Sequence, residues 1–217
     1  MNNKLKLDTI LYNGKEDAVT IEKLLEYLNE AKSSQKELAD FVCKRLNERY
    51  IEPFKGKEST PEETKWGFST MASMCLLIET IQSFKYGYDD TMGISREMFN
   101  EFWEDDKVKD LFKIGDKITK KFLTDKKTSF YTNVRCGILH QGETKGGWII
   151  NSKKTKEVIE KNETEIIINA QKFVDKMEEL LGKYHDELEK PENINTSLWN
   201  NCLLKLHSII KNCEPIQ

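Results

Sequence analysis

The sequence lacks long hydrophobic runs and carries little proline, little glycine and no large net charge. No stretch approaches the roughly 18 consecutive apolar residues of a membrane-spanning helix, so we expect no membrane contact. The N-terminal residues lack the apolar core of a secretory signal, which leads us to expect a cytoplasmic protein. The 34 Lys and Arg against 37 Asp and Glu give a net charge of -3, which excludes a globally basic nucleic-acid-binding protein. With 4 Pro, 11 Gly and 10% aromatic residues, the composition also excludes a disordered chain.

Motifs for metal, nucleotide and covalent chemistry are equally scarce. The five cysteines are scattered and form no C-x-x-C pair, so we expect reduced thiols. Phosphate-binding glycine loops, H-E-x-x-H and G-x-S-x-G are absent from the sequence. Cys136 and His140 lie four residues apart, but two ligands do not make a metal site. We therefore predict no cofactor and no metal.

Helical periodicity is what the sequence has in abundance. Apolar residues recur with a spacing of three and four, which predicts helices over residues 21–28, 38–50, 71–84, 129–140, 169–188 and 199–213. Two short β-prone runs, Trp148–Ile150 and Glu165–Ile168, follow a glycine-rich turn and predict a hairpin within about 147–168. The sequence therefore predicts one mostly α domain over residues 1–217, with a small β-hairpin insertion.

Two helix starts have recognisable capping residues. Thr60 is a good N-cap, Pro61 suits the first helical position and Glu63 completes a capping box. Ser95 is expected to cap a short helix that follows it. Both signals support a chain built from helices.

One segment has the residue types for phosphate chemistry, FYTNVRCGILHQG, at residues 130–142. Arg135 can hold a phosphate with two hydrogen bonds, and an imidazole such as that of His140 can transfer protons at neutral pH. Gly137 costs a helix about 1 kcal/mol relative to Ala, which suggests close approach of another backbone or a ligand. Together these residues suit RNA cleavage in which the 2′-hydroxyl attacks its own phosphorus, a reaction that requires no metal.

This segment resembles the R-x-x-x-x-H helix of HEPN-domain proteins, and the following ETKGGW resembles a bacterial HEPN-like group. The resemblance implies a HEPN-like helical bundle with metal-independent endoribonuclease activity in a stress, toxin–antitoxin or phage-defence system. It implies that Arg135 and His140 are the catalytic pair. The implied partners are RNA, single-stranded or tRNA-like, a second copy of the chain, and an antitoxin or defence protein.

Four further residues are candidates for substrate binding. Tyr131 and Asn133 are expected to face the scissile nucleotide, and Lys145 either contacts phosphate or is a solvated turn lysine. Glu79 is the only acid among the apolar residues 71–81, so it needs a partner, for which Arg135 is the candidate. That pair serves either the site or the stability of the fold.

The dimer is predicted to form through the motif helix. Gly137 and Gly142 are expected to admit the partner's backbone, and the interface is expected to contain Ile138 or Gly142. Residues 107–127 hold eight Lys and three Asp, which is either a solvated face or the lining of an RNA groove.

Two alternatives to a ribonuclease remain open. The first is a non-catalytic HEPN-like module that binds a nucleotide, an RNA or a protein partner. Cys136, at a position that is commonly polar in active members, and the acidic overall charge favour this alternative. The second is a structural helical adaptor, in which Arg135 and His140 serve only packing.

Overall fold

The structure is a computed structural model that describes residues 6–14, 18–56, 66–113, 120–127, 129–151 and 155–214. The predicted helix start at Thr60, Pro61 and Glu63 lies outside the described residues, as does part of the lysine-rich segment. The statements that follow concern the described residues.

The chain is mostly helical, as the sequence predicts. The helices are α1 (Ile21–Asn29), α2 (Gln35–Leu46), α3 (Gly67–Tyr86), α4 (Ser95–Glu104), α5 (Asp106–Phe112), α6 (Lys120–Thr124), α7 (Cys136–Gln141), α8 (Ala170–Glu189) and α9 (Ser197–Lys211). The longest, α3 and α8, have 20 residues each. Among the helices that the structure describes, none combines the length and the apolar character of a bilayer span.

Side-chain caps fix the start of several helices. The Thr20 hydroxyl accepts a hydrogen bond from the backbone N–H of Lys23 at the start of α1, and Thr196 does the same for Trp199 in α9. Ser95 differs from the prediction, because Ile94 occupies the cap position and Ser95 is the first residue of α4. Its hydroxyl is instead directed at the Glu79 carboxylate, with the oxygen atoms 3.3 Å apart.

The β structure is more extensive than predicted and differs in topology. The strands are β1 (Ile10–Asn13), β2 (Ala18–Thr20), β3 (Trp148–Asn151), β4 (Ile159–Lys161) and β5 (Ile166–Asn169). β1 and β2 pair antiparallel, and the sequence analysis missed this pair. The predicted hairpin between the two runs near 148 and 166 is wrong, because β3 pairs with β5 in parallel, with Trp148 opposite Ile166.

The reason for the parallel pairing is the position of the tight turn. The Asn162 side-chain oxygen accepts hydrogen bonds from the backbone N–H groups of Thr164 and Glu165 at 2.9 and 2.7 Å. This turn joins β4 to β5, which therefore pair antiparallel. β3 lies on the other side of β5, giving the order β3-β5-β4, and its longer connection allows a parallel partner.

The described residues form two compact units, each built from segments distant in the sequence. The first unit draws on residues 1–48, 81–91 and 181–217, and the second on 49–80 and 92–180. α3 and α8 contribute residues to both units. The assignment of a single domain stays a prediction.

An aromatic cluster forms the core of the second unit beside the predicted site. The ring of Phe130 lies 5.2 Å from that of Trp103, 5.9 Å from Phe173 and 5.8 Å from Trp148, measured between centroids. Such pairs contribute about 0.5–1.5 kcal/mol each beyond the area they bury. Because Phe130 immediately precedes the segment with Arg135 and His140, the cluster anchors the start of that segment.

Candidate functional site

The motif helix, residues 131–141, begins with an unusually wide turn. Residues Tyr131–Arg135 form a π-helical turn, in which the Cys136 N–H donates to the Tyr131 carbonyl five residues earlier. The α-helix α7 follows and ends at Gly142, whose φ of +68° is the left-handed conformation that favours glycine. The predicted helix is therefore present, and its π turn could not be read from the apolar spacing. Turns of this kind are frequent at functional sites.

Gly137 is buried, and the chain's own backbone occupies the space beside it. A Cβ atom at this position would overlap the carbonyl oxygen of Glu143. The predicted close approach of a backbone is therefore correct, but that backbone belongs to the same chain. The expectation that Gly137 admits a partner's backbone is wrong, because the turn after α7 fills the gap. Gly142, in contrast, is exposed and has open space around it.

Arg135 and Glu79 form the ion pair that the sequence analysis named as a candidate. The Nε of Arg135 lies 2.8 Å from Oε1 of Glu79, and the two side chains are only 16% and 9% exposed. The Ser95 hydroxyl contacts the other oxygen of Glu79. Burial alone would lower the pKa of the Arg135 guanidinium, but the charge and hydrogen bond of Glu79 raise it above its ordinary value. Arg135 is thus held as a fixed cation.

Two arginine side chains contact the ring of Tyr131. Its ring centroid is 5.5 Å from Cζ of Arg135 and 4.9 Å from Cζ of Arg96, and the ring of Phe99 lies 5.5 Å away. Burial, together with the neighbouring thiol of Cys136, raises the pKa of Tyr131. The phenol is therefore a neutral hydrogen-bonding group at physiological pH.

Arg96 is the site residue that the sequence analysis missed. Its Nη1 donates to the Thr132 hydroxyl at 3.1 Å and to the Lys126 carbonyl at 3.3 Å. A usable signal exists, since only four of the 34 basic residues are arginines, and Arg96 immediately precedes a segment, residues 97–106, that holds five acids and no base. Two of the four arginines thus contact one tyrosine ring.

Asn133 serves the backbone around it. It is 5% exposed, and its Nδ2 donates to the carbonyls of Lys127 and Ser129 at 3.1 and 3.3 Å. The backbone carbonyl of Asn133 accepts a hydrogen bond from the backbone N–H of Lys145 at 3.0 Å, which places Lys145 at the turn beside the motif helix. Asn133 therefore joins both ends of the motif segment, whereas its predicted contact with a nucleotide has no support from this arrangement.

His140 is apart from the ion pair. It lies in the last turn of α7 and is exposed, next to Leu139, whose exposed fraction is 40%. Across the ranges that the structure describes, no hydrogen bond or ion pair joins the His140 ring to another residue. The motif helix thus carries the half-buried cation of Arg135 and the exposed imidazole of His140. Among the described residues of one chain, no hydrogen bond joins these two side chains.

The arrangement can bind an anion and stack against a planar group. The hydrogen bond to Glu79 uses the Nε–H of Arg135, and a guanidinium has four further N–H donors on its terminal nitrogens. Tyr131 and Arg96 add an aromatic face and a second cation at the same place.

A comparison of this chain with protein-family models, with curated proteins and with solved structures finds no match.

Proposed function

We propose that this protein is a HEPN-like, metal-independent endoribonuclease that acts in a stress, toxin–antitoxin or phage-defence system. The observation that supports it most is the ion pair that holds Arg135, on the same motif helix as the exposed His140. In the proposed reaction the ribose 2′-oxygen bonds to the adjacent phosphorus as the bond from phosphorus to the 5′-oxygen breaks. The products are a 2′,3′-cyclic phosphate and a 5′-hydroxyl.

Arg135 stabilises the charge that develops on the phosphorane oxygens. Glu79 binds Nε and so fixes the plane of the guanidinium, which prepares the terminal N–H groups to meet a phosphate. Pre-orientation matters because a flexible arginine would lose side-chain entropy on binding. Glu79 is in this account a positioning residue, and it is also the counter-ion that permits the burial of Arg135.

His140 acts as the general acid or base. It takes the proton of the 2′-hydroxyl or supplies one to the leaving 5′-oxygen, and an imidazole can do either near neutral pH. Its exposed position leaves it accessible to an RNA strand. Because His140 has no described contact with Arg135, we propose that a second copy of the chain completes the site.

The proposed homodimer forms through the exposed end of the motif helix. Leu139 and Gly142 are exposed there and Ile138 is half-buried, so this end offers an apolar side chain and an approachable backbone. A two-fold axis beside it would bring two copies of His140 into one cleft. The glycine that permits close approach in this account is Gly142 alone, since Gly137 is covered.

Tyr131, Arg96 and Lys145 provide contacts for the RNA beyond the scissile phosphate. The Arg96 guanidinium, which lies over the Tyr131 ring, is a planar cation against which a base can stack. Lys145 lies half-exposed in the turn after the helix, where its ammonium can contact phosphate. Neither contact reads a particular base, which fits a single-stranded or tRNA-like substrate.

A non-catalytic module that binds a nucleotide, an RNA or a protein is the second candidate. The neighbourhood of Cys136 favours it, because this thiol interacts with both Tyr131 and Arg135 at a position where active relatives of the motif carry polar residues. The same cations and ring would bind RNA without cleaving it. RNA binding without RNA cleavage by the wild-type chain would favour this second candidate.

The test is cleavage of single-stranded RNA by the purified chain in EDTA. We expect cleavage without metal, and His140→Ala is expected to slow it by about 10²–10⁴-fold, the usual contribution of a general acid or base. His207→Ala is the matched control, because His207 is also an exposed histidine on a helix and should leave the rate unchanged. Binding without cleavage would favour the second candidate, and cleavage that requires a divalent metal would contradict the mechanism.

The dimer is tested with a charged residue at the proposed interface. Leu139→Asp is expected to give monomers by light scattering and to abolish cleavage. Leu204→Asp changes a leucine that is 56% exposed on α9, so it should remain dimeric and active. A wild-type chain that is monomeric at micromolar concentration, with cleavage intact, would refute the shared site.

A further inference from the structure

The first unit contains a cluster of metal-ligating side chains that the proposed reaction does not use. Asp40 of α2 lies beside His185 and Glu189 of α8, and one ligand atom from each residue lies within 4.8 Å of the others. All three side chains are half-buried. The sequence does not reveal this cluster, because Asp40 and His185 lie far apart along the chain.

Both nitrogens of the His185 ring face carboxylates. Nε2 lies 2.8 Å from Oδ1 of Asp40, and Nδ1 lies 3.7 Å from Oε2 of Glu189 and 3.8 Å from Oδ1 of Asp186. His185 and Glu189 are four residues apart, which puts them on the same face of α8. Three acids around one imidazole create a local negative charge that favours a cation.

The backbone that carries these residues is held in place on either side of them. Gln35 at the start of α2 donates to the carbonyls of Leu188 and Lys190 at 2.6 and 2.9 Å. Further along the same two helices, the Cys43 thiol lies 3.9 Å from the Leu181 carbonyl oxygen. The three ligands therefore lie on helices that these contacts hold together.

One resident cation competes for this cluster. Nζ of Lys44 lies 3.0 Å from Oδ2 of Asp40, and the Lys44 side chain is 53% exposed. Exposed ion pairs four residues apart on a helix contribute little free energy, so a divalent ion can displace this lysine. Zn²⁺ binds imidazole nitrogen as well as carboxylate oxygen, whereas Mg²⁺ and Ca²⁺ prefer oxygen ligands alone.

We propose that Asp40, His185 and Glu189 bind a Zn²⁺ ion, with water completing its coordination. The site departs from the sequence-based expectation of no metal. It does not depend on the proposed ribonuclease activity, whose residues lie in the other unit. A metal here would join α2 to α8 and stabilise the first unit.

The experiment is calorimetric titration of metal-stripped protein with ZnCl₂ at pH 7.5 under reducing conditions. We expect saturable binding of one ion per chain, a rise in the unfolding temperature as Zn²⁺ is added, and no comparable response to MgCl₂. His185→Gln and Glu189→Gln should each weaken binding by at least about 10-fold. His207→Gln and Glu192→Gln are the matched controls, since each changes an exposed residue of the same type within the same unit.

Circular dichroism shows whether each variant is folded, and the two ligand variants give independent readings of the same site. Wild-type protein that shows no saturable Zn²⁺ binding would overturn the proposal. Binding that persists unchanged in both folded variants would also overturn it, because the ion would then sit elsewhere, for example on the cysteines.

Discussion

Replacement of Arg135 by methionine should destabilise the second unit strongly. The change removes the guanidinium from a carboxylate whose side chain is only 9% exposed. Breaking a buried ion pair by removing one partner costs about 3–5 kcal/mol, because the remaining charge is poorly solvated. Since Arg135 itself is 16% exposed, the cost should be near the lower end, about 3 kcal/mol. This is a large part of the 5–15 kcal/mol that stabilises a typical domain.

The double variant distinguishes a charge effect from a loss of packing. When Glu79→Leu is added to Arg135→Met, both charges are gone and two apolar side chains of similar size remain. We expect the second change to restore about 2 kcal/mol, because replacing both partners of a buried pair is often close to neutral. The folded double variant should nevertheless have no ribonuclease activity.

The measurement is urea unfolding at 25 °C followed by tryptophan fluorescence. Three of the four tryptophans, Trp66, Trp103 and Trp148, belong to the second unit, so the signal reports mainly on it. A loss of about 3 kcal/mol should lower the urea midpoint by about 1 M. Additive losses in the double variant, or a loss below about 0.5 kcal/mol in Arg135→Met, would refute the reasoning.

The remaining predictions concern the motif segment and the first unit. Gly137→Ala should lower the free energy of unfolding by about 1–3 kcal/mol, because its methyl group would overlap the Glu143 carbonyl. Gly182→Ala on α8 is the control: the space beside Gly182 is open, so urea unfolding should show a gain of about 0.5–1 kcal/mol. Asn133→Ala should cost about 1–3 kcal/mol, since the buried carbonyl of Ser129 and the partly buried carbonyl of Lys127 lose their donor, and an unchanged urea midpoint would contradict the role given to Asn133. Burial alone would raise the pKa of Asp40, but its hydrogen bonds to an imidazole and an ammonium lower it below the usual 3.8. The Asp40 carboxylate therefore stabilises the fold above pH 3.8 and loses this effect as the pH falls further. Asp40→Asn should have a lower urea midpoint than wild type at pH 6, and the difference between the two midpoints should shrink in acid.

The helices could be predicted from the sequence because their signals are local. Apolar spacing at three and four residues follows from helix geometry alone, and it placed α3, α8 and α9 close to their observed positions. The pairing of Glu79 with Arg135 was accessible for a similar reason. A single carboxylate in an apolar helix needs a cation, and the sequence offers few arginines for that purpose.

The sheet topology could not be predicted, because strand pairing is not local. The run at 148–150 and the run at 165–168 had the composition of paired strands, and they do pair. Their direction depends on the short strand β4 and on the turn at Asn162, whose side chain closes a tight loop. A three-residue strand within a polar connection gives no periodic signal, so the sequence pattern predicts the wrong antiparallel partner for β5.

Gly137 shows a related limit at the site itself. An isolated glycine in a helix indicates that something approaches closely, and this much was correct. The sequence does not say whether that neighbour is the same chain, a partner or a ligand. The same holds for Arg96, since its contact with Tyr131 depends on how α4 lies against the motif helix.

The ends of the RNA fragments test the central claim most directly. Single-stranded RNA incubated with the chain in EDTA should give fragments with 2′,3′-cyclic phosphate and 5′-hydroxyl ends, since attack by the 2′-oxygen produces both. The cyclic ends should disappear with Arg135→Ala and His140→Ala and persist with His207→Ala. Fragments with 3′-hydroxyl and 5′-phosphate ends would contradict the account, because they require attack by water instead of the 2′-oxygen.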